Sequence, residues 1–257
     1  MSRAADFAAR YDELIFAPDK RGLYGGDHFN VGWWADGAET LDQACGTLVD
    51  QHARCLEHGG APTGIVLDVG CGLGAGTAAL RQRWPEAHVI GLNISPRQAR
   101  HGKARNPEVS YCAMDALRLG IADGVVEAIV SVEAALHFPS RAAFLMEAWR
   151  VLRPGGRLVL TDILGADRHL FGDWLLPAAA APANPGAYAV LCADHGFRTE
   201  QLRDITRETW VGFCSYLARL GDTVDLAAAL RSGIGCYVFA VLVKISVRVS
   251  CCRLHGE

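Results

Sequence analysis

The chain has no surplus of basic charge: 25 Lys and Arg face 28 Asp and Glu, for a formal net charge of -3. Nucleic acid is held largely through its phosphates, so a chain without a positive field is not expected to bind it. No apolar run approaches the ~20 residues that span a bilayer, and the first residues lack the long apolar segment of a secretory signal. Cysteine is present but unpatterned. The nine cysteines are odd in number and contain no C-x-x-C pair, which argues against a disulfide framework and against a zinc or redox centre. Cys45, Cys71, Cys112, Cys192 and Cys236 sit inside apolar runs, where free cysteine behaves as a small buried hydrophobe. The adjacent Cys251 and Cys252 read as an exposed tail. These absences point to a globular protein of a reducing cytoplasm, with no metal and no membrane partner.

What is present is an alternation. Apolar residues make up 51% of the 257 positions, enough for one substantial core. The stretch that organises the chain is 65–77, an apolar run that ends in Asp68 and passes through Gly70, Gly72 and Gly74 into a helix at 77–84. Glycines without Cβ atoms let a ligand approach the backbone, and a helix N-terminus offers free N–H groups. Strands at 87–92, 109–113, 125–132 and 157–161 follow, with helices at 96–105 and 140–152 between them. Ser95-Pro96 opens the first of these helices as N-cap and N1. The 125–132 run is apolar enough to be a central strand buried on both faces. Five such units imply an α/β fold with a doubly wound, mostly parallel sheet and right-handed crossovers. Ligands on such sheets bind outside the carboxyl ends of the strands.

The flanking segments are less regular. Residues 2–16 are helical in pattern, with Phe7, Tyr11 and Leu14 on one face. The segment 24–34 mixes glycines with Tyr24, Phe29, Trp33 and Trp34, and reads as a loop lying over the core. A helix at 40–58 stops at Gly59-Gly60. Beyond Asp162, residues 166–186 read as lid or linker, 188–195 as a helix, 197–205 as a strand and 206–231 as mainly helical. The long apolar strand 237–247 is an edge candidate for pairing.

Gly70-x-Gly72-x-x-Ala75 satisfies the dinucleotide fingerprint formally, but two residues argue against NAD. Asp68 sits in the last turn of the first strand, where a dehydrogenase keeps an apolar residue, and the second strand ends in Asn93 rather than an acid. The whole set resembles the class I S-adenosylmethionine-dependent methyltransferases, most closely the small-molecule and natural-product sugar O-methyltransferases. Five ordered motifs carry the likeness: Leu67-Asp68-Val69-Gly70-Cys71-Gly72, Gly91-Leu92-Asn93-Ile94-Ser95-Pro96-Arg97-Gln98, Met114-Asp115-Ala116, Ser131-Val132-Glu133-Ala134-Ala135-Leu136-His137-Phe138 and Trp149-Arg150-Val151-Leu152-Arg153-Pro154-Gly155-Gly156. The resemblance implies a Rossmann-like, seven-stranded sheet with its last strand antiparallel at the edge. It also implies one methyltransferase domain over 1–257: a helical and aromatic lid at 1–60, a cofactor core at 64–165, a variable substrate lid at 166–231, and the final strand and tail at 232–257.

Roles follow from the resemblance residue by residue. Asp68, Gly70 and Gly72 would surround the methionine part of S-adenosylmethionine; Asn93, Ile94 and Gln98 would handle the ribose. Asp115 and Ala116 would flank the adenine, and Val132 and Glu133 would line the floor near the sulfonium. Tyr24 and Trp33 of the aromatic segment are further expected cofactor contacts. Asn93 departs from the common acid, although an amide can also accept a ribose hydroxyl. An acid as buried as Asp68 needs a partner in any case.

For proton removal the first candidate is His137, whose ordinary pKa near 6.5 suits a base at neutral pH. Asp162 is its expected orienting carboxylate, as in the sugar O-methyltransferases that the sequence resembles. The alternative is that His137 only orients its loop. Glu133 is the second candidate, as base or as holder of an acceptor hydroxyl or amine, and His28 is the third. Phe171, Trp174, Leu175, Leu176, Trp210, Phe213 and Tyr216 offer an apolar acceptor pocket. The expected activity is methyl transfer to a hydroxyl of a small-molecule secondary metabolite, by a monomer or homodimer. Carbon or nitrogen methylation, or cyclase-type chemistry on the same fold, are the alternatives.

Overall fold

A computed structural model describes residues 3–176, 181–221 and 223–245. Cys251, Cys252, the distal end of the expected last strand and part of the Ala- and Pro-rich segment lie outside the described residues. The strands are β1 (Ile65–Val69), β2 (His88–Asn93), β3 (Ser110–Ala113), β4 (Val126–Ser131), β5 (Leu152–Leu164), β6 (Phe197–Asp204) and β7 (Cys236–Lys244). They form one sheet in the order β3-β2-β1-β4-β5-β7-β6. From β1 the chain first winds outward through β2 and β3, then returns to place β4 and β5 on the other flank of β1. The crevice between the carboxyl ends of β1 and β4 is therefore the switch point, where such sheets bind ligands.

The helices are α1 (Arg3–Ile15), α2 (Pro18–Tyr24), α3 (Leu41–Leu56), α4 (Ala75–Arg83), α5 (Pro96–Arg105), α6 (Arg141–Val151), α7 (Arg168–Phe171), α8 (Pro185–Asp194), α9 (Trp210–Arg219) and α10 (Val224–Arg231). The short α2, begun by Pro18, was not legible as a helix in the sequence pattern. Local chemistry fixes several ends. Thr40 and Gln43 close a reciprocal capping box on α3, and Ser95 accepts from the N–H groups of Arg97 and Gln98 at the start of α5.

Side-chain alternation along the strands divides the core into two layers. Val66, Val130, Val159, Tyr237 and Phe239 face one side with α3 and Leu80 of α4. Leu67, Ile129, Leu158, Leu160 and Val238 face the other, against Phe144 of α6 and Tyr188 of α8. No described helix is long and apolar enough to cross a membrane.

Two expectations are corrected here. β7 runs antiparallel to β5, but it is not the edge: β6 pairs along its other side, and all nine of its residues are buried. The edge is β6, which exposes Arg198, Glu200, Arg203 and Asp204 and so presents charge where an apolar strand would invite pairing. Cys112 is exposed on β3, the opposite edge, and Cys71 is only partly buried.

A buried ion pair ties α6 to the end of β5. Arg141 donates from Nε to Asp162 Oδ2 at 2.6 Å and from Nη2 to Asp162 Oδ1 at 2.8 Å. Both side chains are almost fully enclosed, at 5% and 0% exposure. Removing one partner of such a pair leaves a charge in an apolar layer. Arg141→Met is expected to cost about 3–5 kcal/mol of unfolding free energy, measured by urea denaturation, and a companion Asp162→Leu to recover much of it. A single variant as stable as the parent would show that this pair does not anchor α6.

Candidate functional site

At the switch point the β1 and β4 turns meet. Gly70 takes φ 83°, a conformation open to glycine at little cost, and a Cβ there would lie 2.3 Å from Ala134 Cβ. The glycine is thus required by a protein neighbour as well as by room for a ligand. Gly74, Gly91 and Gly102 have a different reason. Their missing side chains form the slot for the Tyr111 ring, whose hydroxyl donates to Gly74 O at 2.8 Å.

A cavity of about 440 Å³ opens over these turns, within the range of small-ligand sites. Ten expected site residues line it: Gly70, Gly72, Asn93, Ile94, Gln98, Asp115, Ala116, Val132, Glu133 and His137. Phe7, Tyr11 and Ile15 of α1 close it from above, with Phe29 and Trp174 at the sides. Tyr11 meets the His137 ring edge-on at 5.1 Å, and Phe7 lies 6.2 Å from Trp174. Its charged lining residues are Asp6, Asp115, Glu133 and Asp173; among the described residues no lysine or arginine lines it.

Glu133 is the most constrained residue of the site. It alone among the described non-glycine residues has a positive φ, 51°, a strained conformation that persists only where surrounding contacts hold it. Those contacts are present. Its N–H donates to Thr161 Oγ1 at 2.9 Å, while Oε2 accepts from Val31 N and from the Tyr237 hydroxyl, each at 2.8 Å. Both side-chain bonds fall on one oxygen, and the residue lines the cavity. Burial raises the carboxyl to about 7, against the opposing pull of the Val31 and Tyr237 donors.

His137 ends a 3-10 turn, Ala135–His137. Its Nδ1 lies 2.9 Å from Leu175 O; an acceptor at that atom calls for Nδ1–H and leaves the Nε2 lone pair unengaged by the protein. Burial lowers its pKa to about 4, outweighing the Leu175 carbonyl, and the Arg141 charge pushes the same way. The imidazole is therefore neutral at neutral pH and a weak proton acceptor.

Four other expectations need correction. Asp162 does not orient His137, because it is engaged by Arg141. Adjacent strand residues face opposite sides, so Thr161 points to the site and Asp162 to α6. Asp68 is 4% exposed and lies behind the cavity wall. Its carboxylate accepts from Thr77 Oγ1 at 2.6 Å, tying β1 to α4, and burial raises it to about 6. Tyr24 and Trp33 do not line the cavity: Tyr24 stacks behind Phe29 at 4.3 Å, and Trp33 is buried in the core. His28 lies in a separate open recess with its Nδ1 3.0 Å from Asp42 Oδ1.

Of the seven residues expected around the acceptor, only Trp174 lines the cavity. Trp210 and Phe213 are core packing beneath it, with Phe171 against them, and Tyr216 meets Trp34 at 4.9 Å. Thr161, Tyr237 and Phe29 were missed as site residues. Tyr237 carried one signal: a hydroxyl in an otherwise apolar strand needs a buried partner.

A family model described as "Methyltransferase domain" matches residues 67–160. A 2-methyl-6-phytyl-1,4-hydroquinone methyltransferase of Synechocystis is 34% identical, over 62% of this chain and 56% of the relative. The match therefore spans little more than half of that protein. Erythromycin 3''-O-methyltransferase of Saccharopolyspora erythraea is 28% identical over 83% of this chain and 76% of the relative. Dimethylglycine N-methyltransferase of Parasynechococcus marenigrum is 32% identical over 81% and 75%. Among solved structures, the geranyl diphosphate C-methyltransferase of Streptomyces coelicolor, in complex with S-adenosyl-L-homocysteine, superposes with a TM-score of 0.73. It is 19% identical and covers 95% of this chain and 98% of that one, a likeness of fold alone. Sequence kinship that runs through the central strands and extends across most of a relative's length settles the lineage: the chain belongs to the class I S-adenosylmethionine-dependent methyltransferases.

Proposed function

We propose that this protein transfers a methyl group from S-adenosylmethionine to a hydroxyl of a small, uncharged, largely apolar metabolite, with Glu133 as the proton acceptor. The observation that carries the reading is the Glu133 carboxylate, held by its backbone and by two bonds to Oε2, in the lining of a largely apolar cavity. When bound, the cofactor supplies an electrophilic methyl on a sulfonium centre. The residues present fit it: a turn with no Cβ at Gly70 and Gly72, two buried amides at Asn93 and Gln98, and, among the described residues, a lining without lysine or arginine to oppose a sulfonium. Gly70 and Gly72 would hold the methionine portion, and Asn93, Ile94 and Gln98 the ribose. Asp115 and Ala116 would flank the adenine, and Val132 would form the floor.

The remaining tasks fall to the chain's own side chains. Phe7, Tyr11 and Trp174 exclude water and present flat apolar faces to an acceptor. Glu133, with a pKa near the working pH, accepts the hydroxyl proton at Oε1; a base serves best when its pKa is matched in this way. Neutral His137 aligns the hydroxyl through Nε2. In this reading it replaces neither the carboxylate's basicity nor its charge. A lining that carries acids and, among the described residues, no lysine or arginine disfavours carboxylate or phosphate acceptors. The 3''-O-methyltransferase among the relatives supports oxygen as the target and a natural-product pathway as the setting. The seven described cysteines, all free, suit a reducing cytoplasm, and the protein acts there as a monomer or homodimer.

A second reading has one observation in its favour. Aromatic rings beside carboxylates also suit a cationic amine, so nitrogen methylation is the competing activity. Incubation with methyl-labelled cofactor and matched sets of neutral alcohols and phenols, amines, and carboxylates separates the two. Label is expected in the hydroxylated set; label confined to amines would overturn the oxygen assignment. Tight cofactor binding with no transfer to any set would overturn the enzyme reading.

Two further outcomes follow for the base. Glu133→Gln is expected to lower kcat by about a hundred-fold or more, with cofactor affinity nearly unchanged in a calorimetric titration. His137→Gln should cost far less. Because the base acts as a carboxylate, kcat/KM should rise with pH through about 7 as Glu133 loses its proton, and that rise should vanish in Glu133→Gln. A rise that survives in Glu133→Gln but disappears in His137→Gln would transfer the role to the histidine.

A further inference from the structure

The end of β2 is where a sheet of this kind ordinarily presents a carboxylate to a nucleoside's ribose, and here the position is Asn93. A carboxylate does reach the spot, but from a distant part of the chain. Asp12, on the lid helix α1, accepts from Gln98 Nε2 at 2.7 Å and from Ser95 Oγ at 2.7 and 2.8 Å, across 86 and 83 residues of sequence. Ser95 and Gln98 flank the α5 N-terminus, directly after Asn93. We propose that Asp12 is the positioning residue of the cofactor's nucleoside site, a carboxylate delivered by the lid that sets the two ribose-facing amides where β2 provides no acid. The inference rests on the cofactor and not on the acceptor proposed above.

The hydrogen bonds form a relay with a fixed polarity. A carboxylate only accepts, so Gln98 must turn its NH2 toward Asp12 and its Oε1 toward Asn93. Asn93 answers with Nδ2, which donates to Gln98 Oε1 at 3.0 Å, and its Oδ1 accepts from Ser95 N at 2.8 Å. An acceptor-only group at one end and a donor-only group at the other leave one orientation for both amides. Each amide nitrogen then keeps one N–H, and each amide oxygen one lone pair, for a hydroxyl of the ligand. Asn93 and Gln98 are 7% and 1% exposed, and both line the cavity, so a reversed amide would face the ribose with the wrong atom. Without Asp12 only the Ser95 N–H, acting through Asn93, still holds Gln98 in this orientation, so the relay is anchored at one end instead of two. Tyr11 and Ile15 of the same helix close the cavity. Seating of α1 and recognition of the nucleoside therefore favour each other, as linked equilibria must.

The test uses the full chain and S-adenosylhomocysteine alongside its 2′-deoxy and 3′-deoxy analogues, titrated by calorimetry without acceptor. The wild type is expected to bind the parent about ten-fold or more tighter than the deoxy analogues, the scale of a hydrogen bond to a well-set polar group. Asp12→Asn should weaken the parent by about ten-fold and reduce the deoxy penalty to about two-fold, since an amide can turn either way toward Gln98. Gln98→Leu should do the same and make a further Asp12→Asn substitution silent, because the relay is then already broken. In hydrogen exchange, S-adenosylhomocysteine should slow residues 3–15 in the wild type and not in Asp12→Asn. A deoxy penalty of wild-type size in Asp12→Asn, whether or not overall affinity falls, overturns the proposal and leaves Asp12 as a lid anchor only. So does a double variant in which the two losses simply add. A wild type that fails to bind S-adenosylhomocysteine would remove the cofactor site and this inference with it.

Discussion

The contact between the turns that follow β1 and β4 sets the geometry of the whole site. Gly70 has no Cβ, and for that reason Ala134 can pack directly against it. The approach brings Glu133 to the centre of the crevice with a left-handed backbone, and the Thr161 hydroxyl on β5 catches its N–H. Val31 from the aromatic segment and Tyr237 from β7 then fix the carboxylate. One residue thus gathers β4, β5, β7 and the N-terminal segment around itself. Strain in its backbone, of order 1–3 kcal/mol, is offset by contacts from elements remote in sequence.

The electrostatics follow from the same enclosure. Burial raises Glu133 and Asp68 and lowers His137, each shift favouring the uncharged form. A cavity with acids, rings and a neutral imidazole, and with no lysine or arginine among the described residues that line it, tolerates a sulfonium far better than an anion. The buried pair nearby, Arg141 with Asp162, faces the opposite layer of the sheet and holds α6. Structure and chemistry are thus kept on separate faces of β5, by the two-residue period of the strand.

The N-terminal helix belongs to the site rather than covering it passively. Phe7, Tyr11 and Ile15 close the cavity while Asp12 grips Ser95 and Gln98. A segment that reads as an accessory in the sequence therefore contributes both the roof and a polar contact at its base. The residues expected to form a lid between α7 and α10 mostly pack inward instead, as Phe171, Trp210 and Phe213 do.

The sequence by itself determined the parallel core and its switch point, while the cofactor came from the resemblance its ordered motifs carry. These depend on local patterns: apolar runs of strand length, glycines at a strand-to-helix turn, and an N-cap with proline after it. Gly70, Gly72, Asn93, Ile94, Gln98, Asp115, Ala116, Val132, Glu133 and His137, expected at the site from the resemblance and from their places near strand ends, all line the cavity. Only the tertiary structure decided which groups those residues meet. Asp162 looked like a partner for His137, yet β5 turns it to the other face; Tyr24 and Trp33 looked like ligand contacts, yet Phe29 stands in front of Tyr24 and Trp33 is packed into the core. β7 looked like an edge, yet β6 covers it. Thr161, Tyr237 and Asp12 gave little local sign of their roles. Their partners lie 28, 104 and more than 80 residues away, and contacts of that range are set by how layers pack, which no local pattern encodes.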